Sequence, residues 1–510
     1  MVKQPGQAAG SWIWWFYFKP GKVPPRKSTI DFYTPINQPI TDNAVVYELL
    51  KRSEAATEEV GQSYTINTFD LGVVMKACPI VWKYGEEFSK HVILIGKFHT
   101  AMNYMGRLIG RKCLGAGYAE ILIEAGLATS DCLKSILSGK SYAKALFSLK
   151  VVTEALERLL FNVFLEEEKP DIPYETLINL IHCCTSESLD STLKDPALLK
   201  LIDQFLRYQD KVRRGHLGKT GMFWLSVMDH ARLVFMMDFA VKTNDFELFH
   251  HCNGAMADLF FAYDGHNYAR YLTWFEAFLT NIDLSHPVAL DYIKLGAIAV
   301  ARSLIPGALA AVDKTMEETF MRFAKSSGGL LGLFNNCGAY QKWCRTTSAR
   351  AQLYELTLEM CGMIDDPEMP KAGKHRELEP DPNQKGFTNP WRIPDKNRLY
   401  SRASGAPIDP EVEADVLRAE AAGRAAKEQF IQERFVSKRK EFFDRLKKLK
   451  LKTMDHCSKR LFVYKEQSNL AFQLLVKSQI MEMPINLEEL MRLLPARFHQ
   501  SPGEAQARLY

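Results

Sequence analysis

The sequence predicts an α+β fold that is predominantly α-helical, with one small, partly parallel sheet. Two short runs, residues 64–69 and 91–95, are rich in β-branched and aromatic side chains, which is typical of strands. Residues 71–84, which lie between them, have apolar side chains at helical spacing. A strand, a helix and a strand in this order predict a crossover that pairs the two strands in parallel.

The remaining elements are mostly helices. A helix over residues 43–60 precedes the first strand, and Pro79 should kink or shorten the helix between the strands. Residues 211–220 predict a basic, glycine-containing loop, and residues 411–452 a long helix or a helix pair. Apolar periodicity predicts two short helices within 172–208 and longer ones over 102–110, 119–127, 130–137, 142–165, 222–243, 245–262 and 267–279.

These elements divide the chain into six segments. Residues 1–27 form an N-terminal tail, and residues 28–109 and 290–364 form the two parts of an α/β core. A helical insertion, residues 110–289, separates these two parts. Residues 365–410 are rich in proline and charge, which predicts a linker, and residues 411–510 form a basic, helical C-terminal module.

The composition is that of an ordinary globular chain. Its 510 residues are 47% hydrophobic and 25% charged, which allows two or three domains. A net charge of +5 is too small by itself to indicate nucleic-acid binding. The ten cysteines follow no disulfide-like spacing, and no signal peptide is recognisable. We therefore expect reduced thiols in a nuclear or cytoplasmic protein that is neither secreted nor a membrane protein.

An acidic residue and a histidine follow the two predicted strands. Asp70 comes directly after the first strand, and His99 comes four residues after the second. The carboxyl ends of neighbouring parallel strands meet at one edge of a sheet, where ligands commonly bind. Two interpretations remain open: a functional site, or a structural role in which Asp70 caps the next helix and His99 packs at a strand end.

Four motifs stand out along the chain. They are Thr68-Phe69-Asp70-Leu71, Gly96-x-Phe98-His99, Phe260-Phe261-Ala262-Tyr263-Asp264-x-x-Asn267-Tyr268-Ala269-Arg270-Tyr271-Leu272 and Asp313-x-x-x-Glu317. In these motifs the chain resembles an uncharacterised, multicopy, transposable-element-like protein family of animal genomes. The resemblance covers nearly the whole chain and keeps the order of the motifs.

The resemblance implies a ribonuclease-H-like core of the kind found in DDE-type transposases. In this comparison Asp70 is the second catalytic acid, His99 the accompanying histidine and Glu317 the acid on a helix. Asp70 and Glu317 would then be ligands of Mg²⁺ or Mn²⁺, which prefer carboxylate oxygens. Two such ions about 4 Å apart stabilise the attacking and leaving oxygens of phosphoryl transfer.

Two departures from the family pattern predict that the site is degenerate. In longer relatives, the first catalytic aspartate lies upstream of the region where this chain begins. Asp31 and Asp42 are the possible replacements, but both lie in loop-like sequence rather than at a strand end. Met321-Arg322-Phe323 stands where the family commonly has Asn-Arg-Asp, so only the arginine is retained.

Two basic clusters are candidate nucleic-acid-binding sites. The first, in the predicted loop, contains Lys211, Arg213, Arg214 and Lys219. The second contains Lys438, Arg439, Lys440, Lys447, Lys448, Lys450 and Lys452. Phe442, Leu446 and Leu449 are spaced to form one apolar stripe, which predicts a basic amphipathic helix over 438–452. Contact with phosphates, a nuclear import signal and a solvated face remain open for it.

Three functional hypotheses follow. The first is a transposon-derived, catalytically degenerate transposase-like protein that binds DNA or another nucleic acid without sequence preference. The second is a non-enzymatic helical scaffold that binds protein partners. The third is an active, metal-dependent transposase or nuclease, which would need Asp70, His99 and Glu317 to lie close together.

Overall fold

The computed structural model describes residues 27–30, 36, 38–170, 196–301, 309–322 and 414–453, and isolated residues between 338 and 356. These parts of the chain are mostly helical and include two sheets of two strands each. The predicted mainly helical α+β class is therefore confirmed. The proline-rich linker and most of residues 323–413 lie outside the described residues. Of the region 172–208, where two short helices are predicted, residues 172–195 also lie outside them, and residues 196–208 belong to one helix that continues to Arg213.

The parallel sheet forms as predicted. Strand β1 (Thr65–Phe69) pairs in parallel with β2 (His91–Ile95), with Thr65 opposite His91 and Phe69 opposite Ile95. Helix α2 (Leu71–Lys83) connects them. Every residue of β2 is buried, as expected for a strand covered on both faces.

Helix α2 begins where a side chain caps it. Asp70 precedes the helix, and its carboxylate accepts a hydrogen bond of 3.0 Å from the Val73 N–H. Pro79 lies inside α2 but does not end it, since the helix continues to Lys83. Buried side chains lie on both sides of the proline, with Val74, Ala77 and Cys78 before it and Ile80 after it, so packing holds the whole helix in place.

The helices of the first half lie close to their predicted positions. Helix α1 (Asn43–Glu59) precedes β1, and α3 begins directly after β2, five residues earlier than predicted. A π-helical turn, Leu108–Lys112, extends α3. The helices after β2 are α3 (Lys97–Arg107), α4 (Tyr118–Glu124), α5 (Ser130–Leu137) and α6 (Tyr142–Glu168).

A block of long helices contains most of the core. Their bounds are α7 (Pro196–Arg213), α8 (Gly218–Thr243), α9 (Phe246–Ala262) and α10 (His266–Thr280). Large side chains such as Trp224, Tyr104 and Tyr271 are fully buried there. The predicted basic loop 211–220 is wrong at both ends, because α7 continues to Arg213 and α8 begins at Gly218. The apolar residues Val212 and Leu217 are buried and draw these ends into the helical block.

A second, antiparallel sheet follows the helical block. Two short helices, α11 (Ile282–Ser285) and α12 (Ala289–Tyr292), and a π-helical turn, Ile293–Ala297, lead into it. Strands β3 (Ala299–Ala301) and β4 (Leu309–Ala311) pair with each other. Helix α13 (Val312–Met316) and a π-helical turn, Glu317–Met321, come next. Helix α13 contacts α3, so the two separate parts of the α/β region meet.

The C-terminal part contradicts the prediction of a basic helix. Helix α14 (Ala414–Ile431) and a π-helical turn, Gln432–Val436, pack on the helical block. Residues 437–453, here called the strap, are not helical. Lys438 and Lys450 have left-handed backbones with φ of 50° and 52°. The guanidinium of Arg270 donates a 2.9 Å hydrogen bond to the Asp444 carbonyl. In a helix this carbonyl would instead accept a hydrogen bond from a backbone N–H of the same helix.

No helix among the described residues is long and apolar enough to cross a membrane.

Candidate functional site

Asp313 and His99 form the centre of the candidate site. One carboxylate oxygen of Asp313 accepts a 3.1 Å hydrogen bond from the Phe98 N–H. The other accepts from the His99 N–H at 3.0 Å, and lies 3.1 Å from the His99 ring Nδ1. Both N–H groups belong to the first turn of α3, where backbone donors lack partners within the helix. Asp313 therefore caps α3 from a position 214 residues further along the chain.

Gly96 makes room for this contact. A Cβ atom at Gly96 would lie 2.7 Å from the carboxyl carbon of Asp313 and 2.9 Å from its Cβ. Real Cβ atoms do not approach other heavy atoms so closely. The glycine between β2 and α3 is therefore required by a close approach of the Asp313 side chain, since its own backbone conformation is one that any residue can adopt.

Asp70 and Glu317 act on His99 through their charges. Burial lowers the pKa of His99, but the hydrogen bond and charge of Asp313 and the charges of Asp70 and Glu317 outweigh this and raise it above its ordinary value. The predicted residues Asp70, His99 and Glu317 are therefore near enough to interact electrostatically. We call Asp70, His99, Asp313 and Glu317 the acid–histidine cluster.

The His99 ring is partly open to solvent. Its side chain is 24% exposed, whereas that of Asp313 is only 6% exposed. Because Asp313 contacts Nδ1, the second ring nitrogen, Nε2, is the one that is left to meet a proton donor or acceptor. Asn103 lies one turn along α3 and donates hydrogen bonds to the His99 carbonyl (2.9 Å) and the Tyr268 hydroxyl (3.1 Å). Tyr268 thus brings the start of α10 to the cluster.

A buried ion pair fixes the start of α3 from the opposite side. The Lys97 ammonium donates to Asp238 of α8 at 2.7 Å and to the Tyr142 hydroxyl at 3.1 Å. Burial is the largest single influence and lowers the pKa of Lys97, but the charges of Asp238 and Tyr142 and the hydrogen bonds to them together raise this pKa above its ordinary value, so the pair remains charged. Consecutive residues Gly96, Lys97, Phe98 and His99 are therefore all held by groups from distant parts of the chain.

Two carboxylates of the cluster already accept hydrogen bonds from main-chain N–H groups. Asp313 directs both oxygens to N–H groups of α3, and Asp70 uses one oxygen to cap α2. Within the ranges that the structure describes, no three His, Cys, Asp or Glu side chains are placed to hold a metal ion. In these ranges no third ligand is arranged with the predicted ligands Asp70 and Glu317. Asp70 caps α2, as the structural interpretation of this residue predicts.

Asp313 is the residue that sequence reasoning did not assign to the site. In the motif Asp313-x-x-x-Glu317, the sequence predicts a site role for Glu317 alone. A signal was nevertheless present, because Asp313 follows the apolar run 308–312, as Asp70 follows β1. The strand in that run has only three residues, which is too short for alternation of side chains to identify it.

Two of the four residues of the first basic cluster pair with neighbouring carboxylates. Lys211 pairs with Glu168 at 2.6 Å, and Arg213 pairs with Asp210 at 2.7 Å and Asp229 at 3.0 Å. Arg214 and Lys219 are exposed at the turn between α7 and α8. The prediction that these four residues form one open basic loop is therefore wrong, because the ends of two helices place acidic residues beside two of them.

The second basic cluster lies on the strap. Its members are all exposed, and Lys440 pairs with Glu433 at 2.7 Å. The apolar side chains of the strap face the protein: Phe442 packs edge-on against Tyr271 at 5.3 Å, and Leu446 is buried. A row of cations is thus presented to solvent by an extended segment instead of by the predicted helix.

The fold and the cluster define a mainly helical α+β protein with a histidine and three carboxylates at the carboxyl edge of a parallel strand pair. Residues 16–494 match the model of the family described as "Domain of unknown function (DUF8702)". The chain belongs to this family. No curated protein and no solved structure matches the chain.

Proposed function

We propose that the chain is a transposon-derived, transposase-like protein whose catalytic site is degenerate and which binds nucleic acid without sequence preference. The observation that carries this proposal is the acid–histidine cluster. Asp70 follows a parallel strand, His99 follows its neighbour and Glu317 approaches from a later helical segment, which is the order that the transposase-like resemblance implies. A ribonuclease-H-like ancestry of this region is part of the proposal.

The use of the carboxylates supports the loss of catalysis. Two-metal phosphoryl transfer needs carboxylate oxygens that are free to bind the ions. Asp313 is engaged with the Phe98 and His99 N–H groups and with the His99 ring, and Asp70 caps α2. In this proposal Asp70 stabilises the first turn of α2 and Asp313 the first turn of α3, so the cluster has a structural role instead of a catalytic one.

The strap supports binding to phosphate. Apart from Lys440, its basic side chains have no acidic partner within the described parts of the chain, so they are available to a polyanion. Lysine and arginine that contact phosphates carry no base information, so the binding has little sequence preference.

Catalysis is tested with purified protein and labelled DNA in Mg²⁺ or Mn²⁺. We expect neither nicking nor strand transfer. Activity that is lost in both Asp70→Ala and Glu317→Ala would overturn the proposal of a degenerate site. Isothermal titration of the protein with Mn²⁺ provides a readout that does not depend on activity, and tight binding that both variants abolish would have the same meaning.

Nucleic-acid binding is tested by salt titration. Each phosphate that is neutralised should contribute about −0.9 to the log–log slope on duplex DNA. A variant with Lys447, Lys448, Lys450 and Lys452 changed to Gln should have a shallower slope than the parent. The control changes four exposed lysines on α5, the α5–α6 turn, α6 and α7 to Gln: Lys134, Lys140, Lys144 and Lys200. Equal slopes in the two variants would remove the strap from the interface.

A protein-binding scaffold is the second candidate. It is favoured by Leu199, Ile202 and Leu206 of α7, which share one helix face and are 49%, 38% and 53% exposed. If the parent binds no nucleic acid at low salt, while changing these three residues to Ser abolishes capture of a protein partner, the scaffold is the better interpretation.

A further inference from the structure

Two aromatic side chains are exposed beside each other at the amino edge of the parallel strands. Trp82 lies in the last turn of α2 and is 42% exposed, and Phe443 of the strap is 53% exposed. Their ring centroids are 6.2 Å apart. Large aromatic side chains are normally buried, so two neighbouring exposed rings are a feature that folding alone does not require.

The two rings rest on a rigid base. Trp82 packs edge-on against Trp274 of α10 at 5.5 Å and against Phe442 at 5.4 Å. Phe442 also packs against Phe443 at 5.1 Å. The exposed rings are therefore held in place by partly buried aromatic neighbours that pack on the core, and a planar ligand that stacks on them would meet a surface that is already ordered.

Basic residues are close to both rings in sequence, although Glu441 and Asp444 also lie beside Phe443. Lys83 adjoins Trp82 in sequence, and the strap continues from Phe443 into a series of exposed cations. Those that have no ion-pair partner among the described residues are Lys438, Arg439, Arg445, Lys447, Lys448, Lys450 and Lys452.

The strap connects the aromatic rings with the acid–histidine cluster. Arg270 in the middle of α10 holds the Asp444 carbonyl, and Asp264, just before α10, accepts a 3.3 Å hydrogen bond from the Leu449 N–H. The strap thus runs along α10 toward its N-terminal end, where Tyr268 contacts Asn103 beside His99. A backbone of phosphates that follows the strap would extend from the rings toward the cluster.

We propose that Trp82, Phe443 and the cations of the strap form a binding surface for single-stranded nucleic acid. Unpaired bases can stack on exposed rings, whereas the bases of a duplex are stacked on each other, and the cations contact the phosphates in either case. This inference rests on the proposed nucleic-acid binding and specifies its substrate class. Its two aromatic side chains, Trp82 and Phe443, belong to neither basic cluster, whereas most of its cations belong to the second one.

The test uses the full chain and two fluorescent probes, a 20-nucleotide oligothymidine and a 20-base-pair duplex, at equal salt. The parent should bind the single strand more tightly and show quenching of tryptophan fluorescence. Phe443→Leu, which keeps apolar bulk but removes the ring, should weaken single-strand binding about fivefold or more, the effect of losing one stacked base. It should leave duplex binding unchanged, and Phe443→Tyr should bind like the parent.

The outcomes separate this inference from the proposed function. Equal, salt-sensitive binding of both probes, or single-strand binding by Phe443→Leu that equals the parent's, would overturn the stacking surface and leave the proposed function standing. Absence of binding to both probes at low salt would overturn the nucleic-acid part of the proposed function and this inference together. Trp82→Leu is a second variant, and its melting temperature shows whether the partly packed ring also supports the fold.

Discussion

At the residue scale, the contact between Gly96 and Asp313 joins two parts of the chain that are far apart in sequence. The buried carboxylate satisfies two backbone N–H groups at the positive end of α3, an arrangement that stabilises an anion. This is possible only because residue 96 has no side chain. The candidate site therefore depends on a residue that takes no part in its chemistry.

We predict that Gly96→Ala lowers the free energy of unfolding by about 1–3 kcal/mol, the usual cost of overpacking. The matched control is Gly72→Ala in the first turn of α2, where a Cβ atom would make ordinary contacts of 3.6 Å or more. Urea unfolding of both variants gives the answer. An equal, small effect at the two positions would contradict the close approach of Asp313.

The pKa of His99 provides a second prediction. It is raised in the folded state, so the His99–Asp313 contact should stabilise the protein fully below the unfolded pKa of about 6.5 and lose this effect as pH rises through the folded pKa. Asp313→Asn should lower the His99 pKa, because burial then dominates. NMR titration of the histidine ring measures this directly, and a parent pKa at or below 6.5 would contradict the prediction.

The pH dependence of the free energy of unfolding reveals the His99–Asp313 contact only when the parent is compared with a variant that lacks it. Burial lowers the pKa values of His91, His230 and His286, and these groups oppose His99 in the same pH range. The stability of the parent minus that of Asp313→Asn should therefore be compared between pH 6 and pH 8. We expect this difference to become smaller as the pH rises.

Part of the site could be predicted from the sequence. Asp70 and His99 were found because strands of five residues with β-branched side chains are recognisable, and because parallel strands end at one edge. The role of Asp313 could not be found in the same way, since helix capping across 214 residues leaves no local pattern. Whether Asp70 caps a helix or binds a ligand also depends on distances that a sequence does not contain.

At the scale of elements, the π-helical turn Leu108–Lys112 buries a lysine. Lys112 is 1% exposed, and burial lowers its pKa to about 8. Turns of this kind insert one extra residue into a helix and are frequent where a side chain must be redirected. Here the turn directs Lys112 into the helical block, near His230 and Glu420. The charge of Glu420 raises the pKa of Lys112, and the charge of Lys112 lowers the pKa of His230.

We predict that Lys112→Met stabilises the protein at pH 7 by about 2–3 kcal/mol. Lys112 takes up a proton below about pH 10.5 in the unfolded chain, but only below about pH 8 in the folded chain. The burial of Lys112 therefore destabilises the fold more and more as the pH falls from about 10.5 to about 8, and has its full effect below about pH 8. The gain should vanish near pH 10.5. Urea unfolding at pH 7 and pH 10 checks this, with exposed Lys134→Met as the control.

The strap shows where helical periodicity misleads. Phe442 and Leu446 do pack against the core, as predicted, but on a segment that is not helical, and Leu449 is half-buried. A short apolar pattern is compatible with either a helical or an extended backbone. The guanidinium groups of Arg270 and Arg434 donate hydrogen bonds to the Asp444 carbonyl and so favour the extended backbone here. The long helices α6, α8 and α9 were predictable because their apolar pattern extends over many turns.

At the scale of the whole molecule, the C-terminal segment is attached through α9 and α14. Gly423 of α14 lies so close to α9 that a Cβ atom would lie 2.9 Å from the Asp258 carbonyl carbon and 3.2 Å from the Ala262 Cβ. Lys427 adds a 2.7 Å ion pair with Glu276 of α10. Residues 414–453 are thus an integral part of the helical block.

Gly423→Ala should loosen this attachment even though alanine favours helices over glycine by about 1 kcal/mol. We expect faster hydrogen exchange throughout residues 414–453, with little change in β1 and β2. Ala421→Leu, an exposed position on the same helix, is the control and should leave exchange unchanged. Uniform acceleration across the whole chain would mean that this segment has no independent opening.

The separation of His99 and Asp313 also affects how the protein is made. At about 5–20 residues per second, a ribosome needs roughly 10–40 s to add the 214 residues between them. During that interval the first N–H groups of α3 have no acceptor from Asp313, while the helical block is already leaving the exit tunnel. The α/β region should therefore be completed only after helices α3–α10 have been synthesised, and α14 should join the helical block later still.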